Sequence, residues 1–251
     1  AINHRQEKVR CSLCDKIYSA DLPDDTPKTL LDEKARSLLA LLRYKMGVPH
    51  KRLEMLQAQL GIPLPSSTQW GQLENSAKPA YAVFRAFLIE GAQAGQFFKD
   101  DTSARVIDLK RYLKKNGSKR QGIYTSAILA LLDSGHKISL FFTGNSHAGE
   151  NFSRLLVTRK SKDSPLVMCD ALASNQINKA YITILNCLDH ARRQFVDLKD
   201  IFKKECQYVL KELGRVYHND KICKKLGIES WDRLSFHKVH SQPIMDRLNV
   251  Y

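Results

Sequence analysis

The sequence has no apolar run long enough to cross a bilayer: its best candidates, Ile123 to Leu132 and Lys137 to Phe142, are short and broken by polar residues. Cysteine is scarce, with six residues at positions 11, 14, 169, 187, 206 and 223. They are too sparse for a disulfide framework, and four of them sit singly in apolar contexts where a reduced thiol packs like a small hydrophobe. The segment Ala1 to Lys8 lacks the apolar centre of a signal peptide, so a soluble intracellular protein is expected. Acidic residues are in deficit: 26 Asp and Glu face 40 Lys and Arg, for a net charge of +14. An excess of this size attracts a polyanion, either nucleic acid or an anionic membrane surface. Apolar residues are not lacking. At 43% hydrophobic content, 251 residues can bury one large core or two modest ones, which excludes a disordered chain.

The stretch around which the rest is organised runs from Gln96 to Ile107 and carries Asp100 and Asp101 through apolar neighbours. Its counterpart, Pro165 to Asp170, is a second apolar run that ends in an acid. A carboxylate in a strand that could otherwise be buried is costly unless paired, and a divalent cation suits two such acids at once. Around these runs hydrophobic alternation predicts strands over Phe97 to Leu109, Gly122 to Leu132 and Lys137 to Thr143, joined as an antiparallel meander. A helix from Ser146 to Arg159 follows the Gly144-Asn145 turn and opens with His147, Glu150 and Asn151. Pro165 to Asp170 is then a strand, Ala171 to Lys179 a short helix and Ala180 to Leu188 a fifth strand. Three strands, helix, strand, helix, strand is the order of the ribonuclease H-like α/β fold, a mixed sheet whose first and fourth strands lie side by side. Asp100 and Asp170 would meet there and could hold Mg²⁺ or Mn²⁺ for phosphoryl transfer, in which two ions about 4 Å apart clamp the attacking and leaving oxygens. Asp100 is the candidate bridge between the ions and Asp170 the ligand to one of them, while Asp101 points to the opposite face of the pleat and pairs structurally. The alternative is that both are ordinary strand-end acids.

Helices precede the strands. Leu30, Leu31, Ala35, Leu38, Leu39, Leu42 and Met46 recur at helical spacing after a Thr26-Pro27 start and before Gly47. A second helix spans roughly Pro49 to Leu60 and ends at Gly61, and a third begins near Ser66 and runs toward Ala92. That is the layout of a helix-turn-helix reader, and also of any small helical bundle. Cys11-Ser12-Leu13-Cys14 has the two-ligand spacing of a zinc knuckle, with His4 the only nearby addition. Either the other half of a zinc site lies upstream of Ala1, or these are ordinary cysteines. The segment from Lys110 to Arg120 holds Lys110, Arg111, Lys114, Lys115, Lys119 and Arg120 and no acid, which suits phosphate contacts without base readout or a solvated hairpin loop. His190, Arg192 and Arg193 follow the fifth strand, at the strand ends where α/β sheets bind ligands, and could contact phosphates. From Val196 onward the chain reads as helical, with Phe202, Cys206, Val209, Leu210, Leu213 and Val216 as its apolar stripe.

Several of these segments together carry a family likeness. Phe97 to Arg105, Phe141 to Asn151, Met168 to Leu172 with Asn175, and Cys187 to Phe195 resemble, in order, the insertion-sequence-66 family of bacterial DDE transposases. Val48 to Leu53 with Gly61-Ile62 and Ser67 to Trp70 is similar to that family's helical DNA-binding region, Cys11 and Cys14 to the second half of its zinc-binding segment, and Arg233-Leu234, His237, Ser241, Pro243 and Met245 to its helical insertion. The resemblance implies a partial zinc segment over 1–26, a helical DNA-binding region over 27–94, a ribonuclease H-like catalytic core over 95–195 and an inserted helical region over 196–251. It implies a cytoplasmic, nucleoid-associated enzyme that cuts DNA at the element's ends and joins it to target DNA, as a homo-oligomer with possible accessory proteins. Asp100 and Asp170 are then the first two catalytic acids. The family's third, a glutamate, lies in an Asp-Asn-Asn motif followed by Glu-Arg, which does not occur in these 251 residues. Asp220 and Glu229 fall in inserted helix and loop and are poor substitutes. The expectation is therefore a chain truncated at both ends and inactive by itself; the alternatives are a DNA-binding regulatory remnant or a metal-dependent nuclease of similar fold.

Overall fold

The computed structural model describes residues 6–24, 26, 29–104, 122–172, 181–228 and 230–251. The basic segment 110–120, most of the expected helix over 171–179, and His4, Pro27 and Glu229 lie outside the described residues. The chain divides into two compact units, Ala1–Ala86 and Phe87–Tyr251.

The first unit opens with an antiparallel hairpin of β1 (Lys8–Arg10) and β2 (Ile17–Ser19), in which Val9 lies opposite Tyr18. Helix α1 (Glu33–Ala40) starts further along than the Thr26-Pro27 pair suggested. Its cap is Asp32, whose carboxylate accepts the Ala35 N–H at 2.7 Å and so satisfies a donor that the first turn leaves open. A π-helical turn, Leu41–Lys45, carries the chain to Gly47, whose φ of +68° suits glycine. Helix α2 (His50–Gln59) and helix α3 (Ser66–Gly91) follow, joined through Gly61 at φ +73°. Leu39, Leu53 and Leu73 form the core of this unit, one residue from each helix. Glu54 on α2 accepts hydrogen bonds from the Ser66 backbone N–H at 3.1 Å and from its hydroxyl, so α2 caps α3. The Ser66 hydroxyl and then Lys51 hold the Glu54 carboxyl down at about 2.

The second unit is a mixed α/β structure. Strands β3 (Gln96–Ala104), β4 (Ile123–Leu131) and β5 (Lys137–Gly144) form the expected antiparallel meander. Helix α4 (Ala148–Leu156) follows, then β6 (Leu166–Cys169) and β7 (Thr183–Asn186), which run parallel to β3, giving the sheet order β5-β4-β3-β6-β7. Helix α4 buries Ala148, Phe152, Leu155 and Leu156, the stripe that its period dictates, and the Phe152 ring meets Phe97 of β3 edge-on at 4.8 Å. The fifth strand is shorter than its apolar run: the Cys187 N–H donates to the Cys169 carbonyl at 2.8 Å, and Leu188 already belongs to helix α5 (Leu188–Leu198).

Helices α6 (Lys203–Lys225), α7 (Ser230–His240) and α8 (Gln242–Val250) complete the unit. Cys206, Val209 and Leu213 of the expected stripe are buried, whereas Phe202 caps α6 and is 54% exposed. Glu212 turns inward among them because Arg215 (3.0 Å) and Arg247 of α8 (3.1 Å) compensate its charge. Asp220 is a second such node, accepting from Arg233 of α7 and from Lys224 at 2.8 Å, with His237 Nε2 at 3.5 Å. The Lys224 bond first and the Arg233 bond after it hold the Asp220 carboxyl at about 2, below its ordinary 3.8. A folded-state value below the unfolded one contributes stability that is present at neutral pH and lost as pH falls toward 2. Discounted for solvent screening, the contribution is on the order of 1–2 kcal/mol. Asp220→Asn is therefore expected to flatten the loss of stability between pH 4 and pH 2, about as these values imply, in urea denaturation at each pH.

Candidate active site

Along β3 the side chains alternate between the two faces of the sheet. Phe97, Lys99 and Asp101 face α4: Lys99 Nζ stands 5.5 Å from the centre of the Phe152 ring, and Asp101 meets the start of the helix. Phe98 and Asp100 face the other way and line a cavity of about 240 Å³. Strands β3 and β6 are in parallel register with Phe98 beside Met168, and two residues on from that pair stand Asp100, within β3, and Asp170, one residue past the end of β6. Both acids line the cavity, together with Met168, Cys187 and His190. His190 enters from the first turn of α5, with Nε2 3.8 Å from Asp100 Oδ2.

The two acids differ in setting. The Asp100 side chain is 55% exposed, whereas Asp170 is only 8% exposed. Behind them Lys99 is buried, which pushes its ammonium pKa down; the nearby Cys169, Asp101 and Asp170 work in the opposite direction. Burial pushes the Cys169 thiol up, and Lys99 partly offsets the shift. Two carboxylates on one cavity wall offer the hard oxygen donors that Mg²⁺ or Mn²⁺ takes. Among the described residues no cluster of three or more His, Cys, Asp and Glu is arranged to hold a cation by itself.

Asp101 does a different job. Its carboxylate accepts from the Ser126 hydroxyl of β4 at 2.6 Å, the Ala148 N–H at 2.8 Å and His147 Nδ1 at 3.2 Å. Ser126 in turn accepts from Asn151 Nδ2 at 2.8 Å, and the Glu150 carboxylate takes the His147 N–H at 3.0 Å. This buried network ties β3, β4 and the start of α4 together next to the acid pair. Alternation alone put Asp101 on that face; Ser126, His147 and Ala148 were missed as its partners, and Asn151 as the partner of Ser126, because the contacts join residues far apart in sequence.

The profile of the transposase IS66 family matches residues 28–251. The chain belongs to the IS66 family of transposases. No curated protein matches it. In the transposase, Asp100, Asp170 and His190 come together at one cavity, and Arg192 and Arg193 are exposed on α5, the helix that carries His190. Lys110, Arg111, Lys114, Lys115, Lys119 and Arg120 lie outside the described residues. Cys11 and Cys14 stand in the β1–β2 turn, which is closed by Cys11 N–H to Lys16 O at 2.9 Å and Asp15 N–H to Cys11 O at 3.0 Å. The backbone N–H groups of Cys14 and Leu13 pull the Cys11 thiol below its ordinary value, which favours the thiolate that a metal takes. Among the described residues no helix is long and apolar enough to cross a membrane.

Proposed function

We propose that this transposase follows the DDE scheme on a ribonuclease H-like core, with Asp100 and Asp170 as two of its three catalytic carboxylates. The observation that carries the reading is that both acids stand two residues past the Phe98–Met168 pair of adjacent parallel strands, Asp100 within β3 and Asp170 just past the end of β6, and line one cavity. The sheet order supports it, with a meander on one side of β3 and two parallel strands on the other. Mg²⁺ or Mn²⁺ fits the donor set, since both groups are carboxylates and Asp100 is open to solvent. When bound, such a cation makes water a better nucleophile and neutralises charge on phosphate oxygens. The chain's own residues supply the rest. Asp100 and Asp170 hold the cation, while Arg192, Arg193 and the basic segment from Lys110 to Arg120 contact DNA phosphates and set the position of the strand. The α2–α3 pair, turned at Gly61, is the proposed DNA reader. Cys11 and Cys14 fill half of a tetrahedral zinc sphere and need two further ligands.

These 251 residues contain no Asp-Asn-Asn and Glu-Arg pair to supply the third acid. The purified chain is therefore expected to bind DNA without cutting it. With about six phosphate contacts, affinity should fall on the order of a thousand-fold between about 50 mM and about 200 mM salt, read by fluorescence anisotropy. Salt-indifferent binding, or none, would remove the nucleic-acid half of the reading. Strong Mg²⁺-dependent cutting lost in Asp100→Ala would show that a further acid within the chain completes the centre, and cutting without strand joining would favour a nuclease.

A further inference from the structure

We infer that His190 is a positioning residue that holds the Asp100 carboxylate by donating from Nε2–H, and that it is not itself a ligand to the cation; this rests on the two-carboxylate reading above. The ring is carried by the first turn of α5, and that turn is fixed to the acid-bearing strand end by the Cys187 N–H bond to the Cys169 carbonyl at 2.8 Å. Its Nε2 lies 3.8 Å from Asp100 Oδ2, within a side-chain rotation of hydrogen-bond distance, and pairs of this kind tighten when a site is loaded.

The other ring nitrogen decides the role. Nδ1 of His190 is buried and, among the described residues, has no hydrogen-bond partner. Nε2 faces a carboxylate oxygen, which can only accept, so the hydrogen of the neutral ring belongs on Nε2, facing the cavity. A histidine that ligates a metal through Nε2 needs the reverse arrangement, with Nδ1–H donated to a carboxylate, a carbonyl or water. Among the described residues nothing around Nδ1 offers that. Asp100 is then steadied from both sides: Oδ1 accepts the Asp101 backbone N–H at 2.9 Å and Oδ2 faces the imidazole donor. With each oxygen directed, the carboxylate presents its remaining lone pairs to the cavity in one orientation.

Two measurements on the full chain test this. Nitrogen-15 spectra of the metal-free protein, with His190 assigned through His190→Gln, should show the Nε2–H tautomer; an Nδ1–H tautomer would overturn the inference. In Mn²⁺ titrations His190→Phe, which keeps the ring volume and removes the donor, should weaken binding roughly 10- to 100-fold, the range for loss of a group that orients a metal ligand. His190→Gln places an amide N–H at similar reach and should recover most of the loss, which a purely structural role for the ring would not produce. Parent-like affinity in His190→Phe, or no recovery in His190→Gln, overturns the inference while leaving the carboxylate site intact. A parent chain that binds no Mn²⁺ through Asp100 overturns both.

Discussion

Asp100→Ala is expected to abolish detectable Mn²⁺ binding while leaving the protein folded and as resistant to heat as the parent. The side chain is 55% exposed and lines the cavity beside His190, and the hydrogen bond its carboxylate accepts among the described residues comes from the next N–H in the chain. Exposed positions without a structural duty change stability by about 0.5 kcal/mol or less when substituted. The cation loses much more. Asp100 is one of two carboxylates at the cavity, and Asp170 alone would leave most of the coordination sphere to water, the arrangement from which Mg²⁺ and Mn²⁺ exchange freely. Asp170→Ala should likewise abolish binding. Calorimetric titration with Mn²⁺ beside a thermal melt reads both quantities on one sample. Parent-like Mn²⁺ affinity in Asp100→Ala would end the two-carboxylate reading, whatever the melt shows.

How much of this was legible in the chain depends on the range of the interaction. Strands β3 to β7 and the limits of α2 and α3 follow from local period, from Gly61 and from the Ser66 start, all signals contained within a few residues. The adjacency of the first and fourth strands of the sheet, β3 and β6, was expected from strand order, and Asp100 and Asp170 line one cavity beside it. Choices between competing local signals were less legible. Asp32 outcompeted Thr26 as the cap of α1, since its carboxylate reaches a free N–H in the first turn. Phe202 stayed outside and Glu212 went inside, because Arg215 and Arg247 neutralise the glutamate and Arg247 is contributed by a helix 35 residues away. His190 was read as a phosphate contact from its position after a strand. Its approach to Asp100 and its sealed Nδ1 depend on how α5 is anchored at Cys187, which no periodicity encodes.

The adjacent Asp101→Ala is expected to have the opposite signature, a destabilisation of about 3–5 kcal/mol with the cation ligands still in place. Its side chain is 10% exposed and is the acceptor for three donors: Ser126 Oγ, the Ala148 N–H and His147 Nδ1. Ser126 and Ala148 are both fully buried, so no water reaches these two donors once alanine strands them, and each buried donor left without an acceptor costs about 1–3 kcal/mol, while the partly exposed His147 can turn to water. The start of α4 also loses a negative charge set against its N-terminus, worth about 0.3–1 kcal/mol. For a protein of this size the sum lowers the melting temperature by roughly 10 °C. Asp101→Asn keeps one acceptor oxygen and should fall between the two. Because pleating sends neighbouring side chains to opposite faces, two aspartates joined by a single peptide bond serve separate ends, one carboxylate open to the cavity and the other sealed in the joint between sheet and helix. The pair of variants separates those ends on one axis each. An Asp101→Ala melt within about 1 kcal/mol of the parent would mean that the Ser126, His147 and Ala148 donors find other acceptors, and the account of what fixes β3 against α4 would fail.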